Sequence, residues 1–239
     1  MRQPIEFEKS YILQDDDFTG KLELQHFDPA YWGEQSSTSA VFGGRGGSIK
    51  ININGQRAIL RRYLRGGMAA RLSTDRYLWP GKTRTRPWRE WAILKLAKKA
   101  GMPVPRPLGA CVWRSGLLYR AAIITAWIEN SETLAQRLLH RPLQKESWYV
   151  LGLLLRQFQE HGFRHADLNA NNLMINHREK FFIIDFDKAV EMKSLQNWQW
   201  IPLRRLQRSL EKIDRQNNLH YRASDWQALI DGYQSKGSA

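Results

Sequence analysis

One cysteine, Cys111, stands in 239 residues. That excludes an internal disulfide framework and fits a reducing compartment. No stretch approaches the roughly 20 apolar residues of a membrane-spanning helix. The opening MRQPIEFEKS has no apolar core of signal-peptide type. The expectation is a protein of the cytoplasm or of the cytoplasmic side of a membrane. Acidic residues are scarce over 57–106. Fourteen Lys and Arg face Asp75 and Glu90 alone there, so this window carries +12 of the chain's +14. A concentrated basic face implies a polyanionic partner. Anionic lipid headgroups, a phosphorylated glycolipid and nucleic acid all qualify, as does a merely solvated face. Tyr63, Tyr77, Trp79, Trp88 and Trp91 lie within the same window. Aromatic rings among cations suit a membrane interface, and they also suit base stacking.

With 42% hydrophobic residues the chain can bury a substantial core. Its length fits one large domain or two small lobes sharing a cleft. The most informative stretch is HADLNANNLMINHREKFFIIDFD, residues 165–187. Asp167 can accept a proton from a hydroxyl. Asn172 and Asp185 offer oxygen atoms suited to Mg²⁺, a hard cation that takes one or two carboxylates plus substrate phosphates. The apolar runs 172–176 and 181–186 can pair as a hairpin around 177–180. Each residue alone also fits an Asx-rich turn ahead of a buried hairpin, whereas the ordered set points to phosphoryl transfer.

This stretch resembles the catalytic and metal-binding segments of the protein-kinase-like superfamily, H-R-D-x-x-x-x-N followed by D-F-G. Ala166 stands in place of Arg, and Asp187 in place of Gly. In protein kinases that Arg receives the phosphate of a regulated loop. Its replacement therefore points to a small-molecule or lipid-sugar kinase. The resemblance implies an α+β, bilobal fold in a single domain over 1–239. A small antiparallel β-sheet lobe would span about 1–126, and a mainly helical, shortened lobe about 127–239. Residues after Asp187 leave no room for a long activation segment, and no A-P-E motif follows, which points away from protein substrates.

The earlier chain supplies parts for the first lobe. Gly43, Gly44, Gly46 and Gly47 form a glycine-rich turn ahead of a hairpin, with strands over 49–53 and 57–63 and a turn at Asn54-Gly55. A glycine cluster alone also fits a flexible loop. In a kinase-like fold Gly44, Gly46 and Gly47 would lie over ATP phosphates. Arg61 occupies the position of the strand lysine, as a bulkier and planar cation, and Arg62 is expected on the opposite face. A helix over 88–100 ends at Gly101 and Pro103. Glu90 near its start either pairs with Arg61 or answers the helix dipole. Strands are expected over 109–113 and 118–125, and residues 127–130 resemble the inter-lobe hinge. A helix is expected to start within 131–139. Another should run over 147–161 with Ser147 as N-cap and Gly162 closing it. A long helix is expected within 188–216, and a last one capped by Ser224 or Asp225. His165 is expected to support the catalytic loop by hydrogen bonding. Residues 1–40 read poorly. Phe27-Asp28-Pro29-Ala30-Tyr31-Trp32 suggests a turn into a short helix, with the segment packing on the first lobe or covering the cleft.

The run L-R-R-Y, then R-G-G, D-R-Y-L-W and R-T-R-x-x-R-E-W, together with HADLN, resembles the 3-deoxy-D-manno-octulosonic acid (Kdo) kinases over nearly the full chain. These belong to the lipopolysaccharide core kinases. The resemblance implies ATP and Mg²⁺ as cofactors and transfer of the γ-phosphoryl group to the 4-hydroxyl of the Kdo residue of Kdo-lipid IVA. It implies Asp167 as the catalytic residue, Asn172 and Asp185 on the metal, and Gly44, Gly46, Gly47, Arg61 and Glu90 around the nucleotide. It also implies a peripheral enzyme on the cytoplasmic side of the bacterial inner membrane, held there through residues 57–106. Alternatives are another sugar acceptor, such as a core heptose or an aminoglycoside, and a non-catalytic nucleic-acid-binding protein, although no nucleic-acid partner is expected.

Overall fold

A computed structural model describes residues 9–33, 48–64, 75–192 and 198–235. The chain divides into two compact units. One takes in residues through Lys95 together with Pro105–Trp127, and the other takes in Leu96–Val104 and the chain from Ile128 onward. Strands and helices are largely segregated between them, as in an α+β fold.

The first unit is built on an antiparallel sheet. Strands β1 (Lys9–Gln14), β2 (Ser48–Ile53), β3 (Gln56–Arg62), β5 (Pro107–Ser115) and β6 (Leu118–Ala126) run in the order β1-β5-β6-β3-β2. The two-residue strand β4 (Tyr77–Leu78) pairs with the start of β6. The β2–β3 turn places Asn54 and Gly55 at positive φ, 52° and 76°, as an Asn-Gly hairpin requires. Period-two alternation then sorts β3. Ala58 and Leu60 join a core with Phe18, Leu22, Phe27 and Trp32 on one side of the sheet, while Arg61 points to the other side, toward α2 (Arg86–Lys99).

Residues 9–33 carry more structure than their sequence suggests. Residues 9–14 form the edge strand β1, in register from Lys9 opposite Arg114 to Gln14 opposite Gly109. Their alternation is weak, and although Asp15-Asp16-Asp17 marks a turn after them, the local pattern does not identify the strand. Helix α1 (Pro29–Trp32) starts where Asp28 accepts from the Ala30 amide at 3.1 Å. The buried Asp15 carboxylate takes the Lys95 ammonium at 2.6 Å, with Arg106 at 3.7 Å. That bond raises the Lys95 pKa above its ordinary range and ties the segment to α2. Burial pushes the Cys111 thiol well up and leaves it inert.

The second unit holds α3 (Leu134–His140), α4 (Lys145–Glu160), α5 (Trp200–Asn217) and α6 (Ala223–Gln234). Its three-stranded sheet orders β10 (Phe181–Ile183), β9 (Leu173–Asn176) and β7 (Ser131–Thr133), and β8 (Phe163–Arg164) pairs with β11 (Val190–Glu191). Helices α4 and α6 approach until their backbones touch. A Cβ on Gly152 would lie 2.0 Å from the Leu229 carbonyl oxygen, and one on Gly232 would lie 2.0 Å from that of Tyr149. Trp148, Leu151, Leu154, Leu155 and Phe158 of α4 are buried, as core.

Several boundaries differ from the sequence reading. The segment from 131 opens with strand β7, and Thr133 caps α3 by accepting from the Gln136 amide at 3.1 Å. Ser147 is the third residue of α4 instead of its cap, and its hydroxyl donates to Glu179 in the β9–β10 turn. The long helix begins only at Trp200, because Val190 and Glu191 pair with β8. Asp225 closes the start of α6 from within, accepting from the Arg222 amide at 2.8 Å.

Candidate active site

The loop after β8 is fixed by its own sequence. His165 is buried, and its Nε2 donates to the Ile184 carbonyl at 2.9 Å. Burial holds the imidazole below its ordinary pKa, against the opposing pull of that carbonyl and of Asp185 and Asp167. A neutral ring bound through Nε2 is a structural link, which agrees with the supporting role expected for it. Leu168 is buried behind the loop. Phe186 is fully buried, with ring centroids 5.3 Å from His165 and 5.7 Å from Phe158. The aromatic residue of D-F-D thus clamps the loop to α4.

Asp167 sits on this platform with its main-chain oxygen doubly bound. It accepts the Asn169 amide at 2.8 Å and the Asn172 amide at 2.9 Å. Asn172 spends its Nδ2 on that bond, so its Oδ1 is the atom left for a cation. The Asn172 carbonyl accepts from the Ile184 amide at 3.0 Å, which joins the loop to the residue before Asp185. Asp185 adopts φ 61°, the left-handed region, which costs a non-glycine residue energy and recurs at functional sites. Asp167, Asn172 and Asp185 are therefore brought into one hydrogen-bonded unit.

Asn172 and Asp185 fit Mg²⁺. Both present hard oxygen atoms, and two protein ligands suffice where substrate phosphates complete the octahedron. Among the described residues no cluster of three or more His, Cys, Asp or Glu suits a metal, so a site closed by protein alone is not built here.

The sequence reading missed Arg205. On α5, its Nε donates to Asp167 Oδ1 at 2.8 Å and its Nη2 also reaches that oxygen. The other side-chain contact of Asp167, from Asn169 at 3.3 Å, falls on the same oxygen. All hydrogen bonds that the carboxylate accepts from described residues thus converge on Oδ1. Ser209, one turn further along α5, accepts the Ala170 amide at 3.3 Å and holds the helix to the loop.

In the first unit, Arg61 and Glu90 are joined. Arg61 Nη2 lies 2.6 and 2.5 Å from the two carboxylate oxygens, and the Tyr63 hydroxyl donates to Oε2 at 2.5 Å. Glu90 is buried at 3% exposure. Arg62 faces away and takes Asp75 at 2.9 Å. The glycine-rich turn with Gly44, Gly46 and Gly47 lies outside the described residues, as do residues 65–74 of the basic window.

The chain was compared with known proteins. A family model described as lipopolysaccharide kinase (Kdo/WaaP) family matches residues 30–233. A protein of Vibrio vulnificus (strain YJ016) named 3-deoxy-D-manno-octulosonic acid kinase is 34% identical over 231 residues, covering 97% of this chain and 98% of its own. Proteins of the same name from Xanthomonas axonopodis pv. citri (strain 306) and Stenotrophomonas maltophilia (strain K279a) are 39% identical over 204 residues and 36% over 222. They cover 84% and 93% of this chain, and 80% and 88% of their own.

Proposed function

The chain belongs to the lipopolysaccharide kinase (Kdo/WaaP) family, a protein-kinase-like family, and on that premise we propose that it moves the γ-phosphoryl group of ATP to the 4-hydroxyl of the Kdo residue of Kdo-lipid IVA. The observation that carries the reaction class is the hydrogen-bonded loop in which the Asn172 amide is committed to the Asp167 main chain. In this reading that bond holds a proton acceptor and a cation-facing oxygen five residues apart, an arrangement suited to phosphoryl transfer to a hydroxyl. The acceptor sugar is supported by similarity, nearly end to end, to proteins named as kinases of that sugar acid.

In this reading Asp167 accepts the proton of the sugar hydroxyl as its oxygen bonds to the γ-phosphorus, while the bond from that phosphorus to the bridging oxygen of ADP breaks. Asn172 Oδ1 and the Asp185 carboxylate would hold Mg²⁺, which when bound would neutralise charge on the phosphates. Arg61, oriented by Glu90 and Tyr63, holds the α- and β-phosphates, and Gly44, Gly46 and Gly47 cover them. Arg205 keeps Oδ1 of Asp167 occupied, so the second carboxylate oxygen faces the hydroxyl. Such catalysis is positioning and charge compensation, with little covalent work for the protein.

The acceptor is anchored in a bilayer, so the enzyme is placed at the cytoplasmic face of the inner membrane. The basic window 57–106 supplies the attraction, at roughly 1 kcal/mol per basic residue near an anionic surface. Among the described residues no helix is long and apolar enough to cross a membrane.

The test is label transfer from γ-labelled ATP with Mg²⁺ to Kdo-lipid IVA and to lipid IVA lacking Kdo, using wild type and Asp167→Ala. Label is expected only on the Kdo-bearing acceptor and only with wild type. Label on heptose-bearing acceptors alone would keep the kinase and reassign its sugar.

A further inference from the structure

The first unit ends in a small apolar projection for which the phosphotransfer reaction has no use. Strand β4 pairs with β6 so that Leu78 lies opposite Leu118, and the Trp79 amide donates to the Leu117 carbonyl at 2.9 Å. This sets Leu78 beside the β5–β6 turn. Leu78 and Leu117 are 72% and 79% exposed, well above every other exposed large apolar side chain among the described residues. Aromatic rings line the same edge. Trp79 stacks on Tyr11 with centroids 5.9 Å apart and meets the edge of Tyr119 at 6.1 Å.

Cations lie over these rings. Arg114 lies over Trp79 at 5.1 Å, and Lys82 lies over Tyr11 at 5.5 Å. Lys9 stands opposite Arg114 in the sheet, and Arg84 is exposed on the turn after β4. The acid of this stretch, Asp75, is engaged by Arg62 and Arg120, both at 2.9 Å. The result is one edge of the sheet that carries two bare leucines, a group of indole and phenol rings and several cations.

We propose that this edge, where Leu78 and Leu117 stand beside Trp79 and Tyr11 with Arg114, Lys82 and Lys9 close by, is a wedge that inserts into an anionic phospholipid bilayer. Bare leucines suit the acyl boundary, aromatic rings suit headgroup depth, and the cations complement anionic headgroups. The wedge rests on the functional reading above only for the expectation that the enzyme meets a membrane. It goes beyond that reading by placing the contact outside as well as inside window 57–106, on Lys9, Tyr11, Arg114 and Leu117, and by adding apolar insertion to electrostatic attraction. It orients the first unit on the surface with β4 and the β5–β6 turn down.

The experiment is sedimentation of the full chain with vesicles of phosphatidylethanolamine and phosphatidylglycerol that contain no Kdo glycolipid. Phosphatidylcholine vesicles serve as the neutral control. Wild type is expected to bind the anionic vesicles and not the neutral ones. Leu78→Ser/Leu117→Ser should lower partitioning by about tenfold or more. Lys82→Ala/Arg114→Ala should lower it and flatten its salt dependence, whereas Leu139→Ser, an exposed leucine elsewhere, should leave it unchanged. Phosphorylation of detergent-dispersed Kdo-lipid IVA should be unaffected by the leucine changes. Wild-type binding by the double leucine variant, or binding only when Kdo glycolipid is added, overturns the wedge. Loss of vesicle binding by that variant in a protein that phosphorylates no Kdo acceptor keeps the wedge and refutes the substrate assignment.

Discussion

An arginine–carboxylate pair stands in each of the two units, and the two pairs are built to opposite designs. In the sheet unit, Glu90 is 3% exposed, both of its oxygens are engaged by Arg61, and Tyr63 adds a third bond. In the helical unit, Asp167 and Arg205 are 28% and 46% exposed, and the hydrogen bonds that the carboxylate accepts from described residues fall on one oxygen. A buried carboxylate stripped of its cation pays a desolvation cost that nothing offsets, whereas an exposed pair contributes about 0–1 kcal/mol to stability. The first pair is therefore part of the framework that presents a cation. The second leaves the other oxygen of the carboxylate clear of the described residues' hydrogen bonds and stakes little of the fold on the pair.

The sharpest way to break this contrast is to remove the reactive oxygen while keeping the shape. Asp167→Asn should lower turnover on Kdo-lipid IVA by about a thousandfold, the usual reach of a positioned general base. Its thermal midpoint should stay that of wild type. Near-wild-type turnover on the true acceptor would remove Asp167 from the mechanism. A drop in midpoint comparable with that of a core variant would mean the exposed pair does hold the fold, and the two designs would no longer differ.

The framework pair should fail in the other way. Arg61→Met takes from buried Glu90 the guanidinium that engages both of its oxygens, and the expected loss is about 3–5 kcal/mol of stability, read from denaturant midpoints. Activity should fall as well, because the phosphate-holding cation is gone. Combining it with Glu90→Leu should recover most of the stability and none of the activity. Recovery of both would show that the pair serves packing alone.

The reach of sequence reasoning follows the same division. The local arrangement of Asp167, Asn172 and Asp185 was legible because it is carried by fixed spacing within 19 residues of chain. Strands β2, β3, β5 and β6 were legible because alternation and Asn-Gly turn chemistry are local. Arg61 and Glu90 could be matched because one lies near the end of a strand and the other near the start of a helix, in a known order. Strand β1 was not legible, since its partner β5 lies about a hundred residues away and supplies the reason for it to be a strand. Three-residue β7 is too short for any period to show. Arg205 was hidden for a different reason. It lies 38 residues from Asp167, on a helix face that also exposes Arg204, Arg208 and Lys212. Periodicity cannot tell a functional arginine on such a face from a solvated one. The structure singles it out through its own bonds to Asp167 Oδ1, on a helix that the Ala170 amide and Ser209 seat on the loop.

The smallest effect separates geometry from charge at that residue. Arg205→Ala frees the Asp167 side chain to rotate while the Asn169 and Asn172 amides still hold its main chain. Turnover should therefore fall only about tenfold, a loss of orientation and not of the proton acceptor. The thermal midpoint should not move, as expected of a pair this exposed. Arg205→Lys is the discriminating variant. Lysine restores a positive charge near Oδ1 but lacks the planar fork that directs Nε and Nη2 to one oxygen. If Arg205 acts by fixing which oxygen faces the hydroxyl, the lysine variant should be about as slow as the alanine one. If it acts only by placing a charge beside Asp167, lysine should return most of the rate, and the convergence of bonds on Oδ1 would carry no mechanistic weight.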